Sequence, residues 1–343
     1  MMDHNSSRRR FLKKSALGVG LAASGYSLSA QSQQDNITPR LPREVWVGTV
    51  ALENLRAANP EEMVRKVLSV MEKMAVMKPD IICLPESFAT SNLESQVDWK
   101  AVAEEVPGPV VSAMAEFARK NNCYVICPTL IKEKGDMYIA AVLLDRKGKV
   151  AGRYLKMHPA QNEIESGVRP GPLVPPVFET DFGKIGIQIC FDIKWEVGWK
   201  LMKDHGAEIV FWPSAYGGGR EITSMAWRYQ VPLVSATAKG ASRICDITGE
   251  EITRTGRWQY DWICAPVNLE KAFLPAWPSF VHFPEIMKKY GQKIRLTTFD
   301  EEEWTIIESL DPEVKVADVL REFNLPTHHE TITQVTKLQD ANR

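Results

Sequence analysis

Val45-Trp46-Val47-Gly48-Thr49-Val50, Asn59-Pro60-Glu61-Glu62 and Asp80-Ile81-Ile82-Cys83-Leu84-Pro85-Glu86 read in turn as a strand, a helix start and a second strand. Asn59 is a capping residue, Pro60 suits the first helical turn, and Glu61 and Glu62 favour the positive end of the helix dipole. Met63, Val67, Met71 and Met74 then recur at helical spacing together with Val64, Leu68 and Val70. Such an apolar stripe belongs to a core, not to a cofactor site. Lys78-Pro79 ends the helix, and the apolar run that follows stops at a proline and a carboxylate.

The same alternation continues outward from this unit. Apolar runs predict strands at Tyr124–Leu130, Met137–Leu144, Val150–Leu155, Lys184–Cys190 and Ile209–Trp212, and helical spacing predicts helices over Val110–Lys120, Glu196–His205 and Glu221–Gln230. Short strands alternating with helices indicate an α/β fold whose sheets are buried by helices. No repeat of solenoid period is present. From about Ala272 onward, proline, aromatic and charged residues mix without steady alternation, as in Glu301-Glu302-Glu303-Trp304. The expected organisation is therefore a main domain over 44–271 and an extension over 272–343 that wraps the domain or reaches a second subunit.

A length of 343 residues with 44% hydrophobic content is enough for a substantial core. Forty-two basic and 43 acidic side chains give a formal charge of -1, which argues against an electrostatic grip on nucleic acid and favours a small, roughly neutral partner. No stretch reaches the roughly 20 apolar residues that span a bilayer, so no stable membrane insertion is expected once the N-terminus is processed.

That N-terminus reads as an address. Ser7-Arg8-Arg9-Arg10-Phe11-Leu12-Lys13 precedes a modest apolar segment from Ser15 to about Ala30 with small residues near its end. The arrangement resembles a twin-arginine export signal, which implies a periplasmic or otherwise exported protein; a disordered basic tail is the bland alternative. A signal over 1–30, cleaved near Ser29 or Ala30, would leave a polar lead-in over 31–43, although Leu28 fits the small-residue rule poorly.

Six cysteines in an exported chain raise the question of disulfides. Cys83, Cys123, Cys127, Cys190 and Cys264 lie in or beside apolar runs, and Cys245 stands in Arg243-Ile244-Cys245-Asp246, which is not the loop-borne spacing of a disulfide scaffold. Alternation along Cys123-Tyr124-Val125-Ile126-Cys127 puts both end cysteines on one strand face, where packing is the default. His4, His158, His205, His282, His328 and His329 form no zinc-ligand spacing with them, so no metal is expected.

Three polar residues stand at the ends of apolar strands: Glu86, Lys156 in Tyr154-Leu155-Lys156-Met157-His158-Pro159, and Cys190 in Gly186-Ile187-Gln188-Ile189-Cys190-Phe191-Asp192. Strand ends are where a sheet fixes position while a loop grants access. Taken singly, Glu86 caps a turn, Lys156 is a solvated lysine and Cys190 packs a core as readily as each does chemistry. Together they are complementary. A carboxylate takes a proton from a thiol, and an ammonium stabilises the thiolate and the oxyanion formed when it attacks a carbonyl.

On these motifs the chain resembles the carbon-nitrogen hydrolase, or nitrilase, superfamily. Leu84-Pro85-Glu86 resembles its glutamate motif, Tyr154-Leu155-Lys156-Met157-His158 its lysine motif and Ile189-Cys190-Phe191-Asp192 its cysteine motif, with similarity from about Val45 to about Pro266. The resemblance implies a four-layer α-β-β-α sandwich, no cofactor, and a homodimer or larger homo-oligomer. It also implies Glu86 as general base and acid, Lys156 as oxyanion stabiliser, Cys190 as nucleophile and the Phe191 amide as second oxyanion donor. Members often carry a further glutamate after the lysine motif. Glu163 and Glu165 compete for that place, and Glu163 is preferred because it lies farther ahead of the Gly167 to Gly171 turn.

The motifs set the reaction centre and not the pocket around it. Phe88, His158, Arg169, Trp195, Tyr216 and Arg220 fall in loops expected to rim the site, and an inward Arg169 or Arg220 would bind a carboxylate. The family's cysteine motif often continues to Pro-Glu, whereas Cys190-Phe191-Asp192-Ile193-Lys194-Trp195-Glu196 has no proline. The expected activity is hydrolysis of a small amide or N-carbamoyl compound. A nitrilase, an acyltransferase and a catalytically silent binding or assembly module are the alternatives. Trp277, Phe280, Phe283 and Trp304 are the apolar residues of the extension available for subunit contact or for covering their own domain.

Overall fold

A computed structural model describes residues 41–256, 258 and 260–343. The export signal expected over 1–30 and most of the lead-in that follows it lie outside the described residues.

Strands β1 (Glu44–Val50), β2 (Ile81–Cys83), β3 (Tyr124–Glu133), β4 (Asp136–Leu144) and β5 (Val150–Leu155) come first in the chain. Strands β6 (Val177–Glu179), β7 (Lys184–Ile187), β8 (Ile209–Ser214), β9 (Leu233–Thr237), β10 (Arg243–Cys245) and β11 (Glu251–Arg254) follow, and β12 (Trp262–Asn268) returns to pair with β1. One sheet has the order β12-β1-β2-β3-β4-β5 and the other β11-β10-β9-β8-β7-β6. In each, three central strands are parallel and antiparallel strands flank them.

Alternation along the strands builds the layers. Ile81 and Cys83 of β2 face the other sheet, where they meet Ile185, Ile187, Ile209 and Phe211, while Ile82 points the opposite way onto Met71, Met74 and Met114. On the far side, Val210 and Trp212 of β8 turn away from the first sheet and pack on Trp199, Met202, Ile222 and Ala226. Helices Pro60–Met74 and Pro109–Asn121 thus cover one sheet and helices Glu196–Asp204 and Arg220–Tyr229 the other. This is the four-layer α-β-β-α sandwich that the resemblance implies. The expected cap is present too: Asn59 Oδ1 accepts from the Glu62 amide at 2.9 Å. Cys123 and Cys127 share the helix-facing side of their strand, and all six cysteines are free thiols.

Two expectations need correction. Strand β7 ends at Ile187, and Cys190 opens a short 3-10 turn, Cys190–Lys194, instead of closing the strand. The apolar run continues because Ile189 still packs between the sheets after the ladder has ended. The region from 272 is also more regular than its composition indicates: β13 (Lys271–Pro275), β14 (Ile294–Phe299) and β15 (Trp304–Ser309) form an antiparallel sheet in the order β13-β15-β14. Leu274, Ile286, Ile294, Ile307, Val319 and Leu320 give it a core of its own, with helices Phe283–Tyr290 and Val316–Glu322 contributing. Among the described residues, no helix is long and apolar enough to cross a membrane.

The C-terminal sheet docks on the main sandwich through Trp227, whose ring meets Phe273 and Phe299 edge-on at centroid distances of 5.4 Å each. Removing a half-buried indole that joins two such rings costs about 2–3 kcal/mol in lost burial and aromatic contact. Trp227→Ala is therefore expected to raise hydrogen exchange in β13–β15 before it affects β7 and β8. Uniform destabilisation of all strands would show that the docking is not a separate contact.

Candidate active site

The three strand-end residues converge. Glu86 lies three residues past β2, Cys190 three past β7, and Lys156 directly after β5, so both sheets deliver side chains to one end of the sandwich. Lys156 is not a solvated lysine: its exposure is 0%. Its Nζ donates to Glu86 Oε1 at 2.7 Å and to Glu163 Oε1 and Oε2 at 2.8 and 2.7 Å. The Lys156 backbone is held as closely, its amide donating to Ile139 O at 2.9 Å and its carbonyl accepting from Gly171 at 2.7 Å. A Cβ on Gly171 would stand 2.4 Å from the Leu155 carbonyl oxygen, so only glycine lets this loop press against the lysine segment.

The two carboxylates are themselves anchored. Glu86 Oε2 accepts from the Ala215 amide at 3.1 Å, and Glu163 Oε2 accepts from the Ala160 amide at 2.7 Å across the first turn of helix Gln161–Glu165. Of the two competing glutamates, Glu163 reaches Lys156, while Glu165 is exposed and accepts from Gln161 at 2.8 Å. The difference is one of helix phase: residue 163 points inward and residue 165 outward.

Cys190 adopts a left-handed backbone with φ of 48°, and Ser87, next to Glu86, does the same with φ of 43°. Non-glycine residues enter this region at a cost and are held there by their surroundings. For Cys190 the restraints are the Trp212 Nε1 donating to its carbonyl at 3.0 Å and Asp192 accepting from the Ile189 amide at 2.9 Å. The left-handed turn sets the thiol off the strand direction and puts the Phe191 amide directly after it.

Electrostatics follow from this packing. Burial works against the Lys156 ammonium, but the charges of Glu86 and Glu163 overcome it and hold the amine above its ordinary value. Burial pushes the Cys190 thiol up to about 12, with Glu86 adding to the rise and Lys156, Ser214 and the Ala215 amide opposing it. Burial and the charge of Glu86 also raise Glu163, against Lys156 and the Ala160 amide. Both shifts favour the protonated forms, an ammonium on Lys156 and a neutral thiol on Cys190.

The expected rim residues divide. The His158 ring stacks on Trp195 at 4.2 Å, and Trp195 meets Phe191 edge-on at 5.2 Å, making one aromatic wall beside Cys190. Tyr216 rests on Trp212 at 5.2 Å and its hydroxyl donates to Glu221 at 3.3 Å. Phe88 does not rim the site; it is fully buried on the helix side of the first sheet, because Ser87 turns the chain back into that core. Arg169 is 66% exposed and paired with Asp136 at 3.0 Å, and Arg220 is exposed at the start of helix Arg220–Tyr229. Neither arginine joins the Glu86, Lys156 and Cys190 cluster. Sequence reasoning passed over Tyr154 and Asp192, whose side chains are buried against each other at 2.7 Å. Their place within the two motifs was the available signal.

A profile of the carbon-nitrogen hydrolase family matches residues 47–272. The chain belongs to this family. It is 30% identical over 217 residues to a β-ureidopropionase of Arabidopsis thaliana, covering 59% of this chain and 51% of that protein. It is 26% identical over 163 residues to a nitrilase of Pyrococcus abyssi, covering 47% and 62%. The chain thus spans about half the length of the curated relatives it matches. A double mutant of the amidase from Nesterenkonia sp. AN1, in complex with acrylamide, superposes with a TM-score of 0.58 at 16% identity over 67% of this chain and 92% of that one. A carbon-nitrogen hydrolase from Helicobacter pylori G27 superposes with a TM-score of 0.56 at 18% identity over 67% and 90%. These last two show a shared fold.

A neutral resting thiol has a direct signature. The difference in thiolate absorbance near 240 nm between this protein and its Cys190→Ala variant is expected to stay near zero from pH 6 to 9, since a raised thiol pKa leaves the neutral form in place below it, whereas a constant non-zero difference would show a thiolate throughout. A step near pH 7 would mean that Cys190 rests as a thiolate.

Proposed function

We propose that the protein hydrolyses a non-peptide C–N bond in a small amide or N-carbamoyl compound through a thioester on Cys190. The observation that supports this reading above all is the buried Lys156 ammonium held between Glu86 and Glu163 and coupled electrostatically to the Cys190 thiol. Glu86 withdraws the thiol proton as sulfur attacks the substrate carbon, so a free thiolate need not form first. The oxyanion is stabilised by Lys156 and the Phe191 amide. The C–N bond breaks as Glu86 returns the proton to the departing ammonia or amine. Glu86 then takes a proton from water, which attacks the thioester; the acid product leaves and the proton returns to sulfur. Glu163 shares the lysine with Glu86 and keeps it oriented when Glu86 is protonated.

The ring contacts among His158, Trp195 and Phe191, next to Cys190 in the chain, support a substrate with a flat or apolar part. Arg169 and Arg220 are exposed and stand outside the Glu86, Lys156 and Cys190 cluster, so they give no support to a carboxylate-bearing substrate over a simple amide. A nitrile would meet the same groups, and parallel assays on a nitrile and its amide separate the two activities. We further propose that the protein is exported, on the strength of Arg8-Arg9-Arg10 and the apolar segment after them, and that it forms a homodimer or larger homo-oligomer. Exposed Trp277 and Phe280, in mutual contact at 5.4 Å, support the latter, whereas Phe283 and Trp304 are partly buried within the C-terminal region.

Ammonia release measured across amides, N-carbamoyl compounds and nitriles is expected to be highest for a small amide or carbamoyl compound. Cys190→Ala should lower it by at least about 10⁴-fold, and Glu163→Gln by roughly 10–100-fold, the scale on which a removed nucleophile and a removed orienting partner act. Full activity of folded Cys190→Ala would sink the assignment.

A further inference from the structure

Asp192 lies two residues past the nucleophile, is fully buried, and accepts on both carboxylate oxygens from two separate chain segments. Oδ1 accepts from the His158 amide at 2.7 Å and lies 3.1 Å from His158 Nδ1. Oδ2 accepts from the Tyr154 hydroxyl at 2.7 Å and from the Ile189 amide at 2.9 Å. Tyr154 and His158 stand two residues before and two after Lys156, and Ile189 directly precedes Cys190.

A carboxylate that served only to cap the Cys190–Lys194 turn would need the Ile189 amide alone. The other three contacts come from the lysine segment, 34 to 38 positions away in the chain. They join the end of one sheet's β5 to the turn after the other sheet's β7, and these are the two places from which Lys156 and Cys190 project. The joint continues inward, where Gln188 Nε2 donates to the Tyr154 hydroxyl at 3.4 Å. It continues outward through the His158 ring stacked on Trp195.

We propose that Asp192 is a positioning residue that sets the distance between the Lys156 ammonium and the Cys190 thiol by binding both of their chain segments to one carboxylate. The proposal rests on the reading of Cys190 as nucleophile and Lys156 as its electrostatic partner. Asp192 itself touches neither substrate nor reacting atoms. Its effect is on alignment, and a misplacement of about 1 Å between reacting groups costs on the order of 10²-fold in rate.

Asp192→Asn tests this closely. An amide keeps the size of the carboxylate but has one accepting oxygen, so its NH₂ group must face one of the two donor pairs and that side of the joint opens. The expected result is kcat lower by about 100-fold with KM within about twofold of the parent, because Trp195, Phe191 and Tyr216 are not partners of Asp192. Alkylation of Cys190 by iodoacetamide, followed by mass spectrometry, should slow by roughly tenfold. Tyr154→Phe removes one donor and keeps the ring, and should lower kcat by about 3–10-fold at unchanged KM. If Asp192→Asn does not fold, Tyr154→Phe decides.

The proposal is overturned if folded variants keep parental kcat and alkylation rate, or if KM rises while kcat holds. Should the parent protein release no ammonia or amine from any compound tried, the functional reading fails. The alkylation comparison then decides the positioning role by itself.

Discussion

The buried Lys156 ammonium is the constraint on which the site depends. A cation at zero exposure is sustained only by compensating charge, and here Glu86 and Glu163 both lie within 2.8 Å of its nitrogen. Two carboxylates around one cation leave a net negative environment. Burial, and after it the charge of Glu86, raise the neighbouring thiol against the opposing pull of Lys156. The proposed base, Glu86, is thus one of the two carboxylates that compensate the lysine. Removing either glutamate would leave a partly compensated charge in the interior, so the three residues act as a unit and not as separable contributions.

The sandwich explains why these groups meet. Parallel central strands in both sheets bring Glu86 and Cys190 to the same end, and the antiparallel β4–β5 hairpin returns the lysine to that end from the sheet's edge. Each residue leaves its strand through a constrained turn. Ser87 and Cys190 are left-handed, and Gly171 lets a loop bear directly on the backbone of Lys156. The inter-sheet core of Ile81, Cys83, Ile187, Ile189 and Phe211 lies directly beneath, so the rigidity of the site is that of close-packed side chains.

Much of this was legible in the residues because strand periodicity and motif chemistry are local signals. Val45–Val50, the Asn59 cap and the methionine stripe announce a strand and its covering helix, and the residue order around Glu86, Lys156 and Cys190 carries the chemistry. What was not legible depended on direction in space. Phe88, Arg169 and Arg220 sit in loops near the motifs, and sequence position does not say that a left-handed Ser87 sends Phe88 into a core or that Asp136 draws Arg169 outward. The three strands from Lys271 onward were hidden because short strands of a small sheet alternate weakly. Asp192 went without a role because three of its four contacts come from a segment far away in the chain.

The most direct test of the account is intact-mass measurement after rapid quenching of the wild-type protein with a small amide that it hydrolyses. A transient mass increase equal to the acyl group is expected, located by peptide mapping on Cys190 and absent from Cys190→Ala. Turnover of that amide with no adduct in the wild type and with activity retained in Cys190→Ala would contradict it.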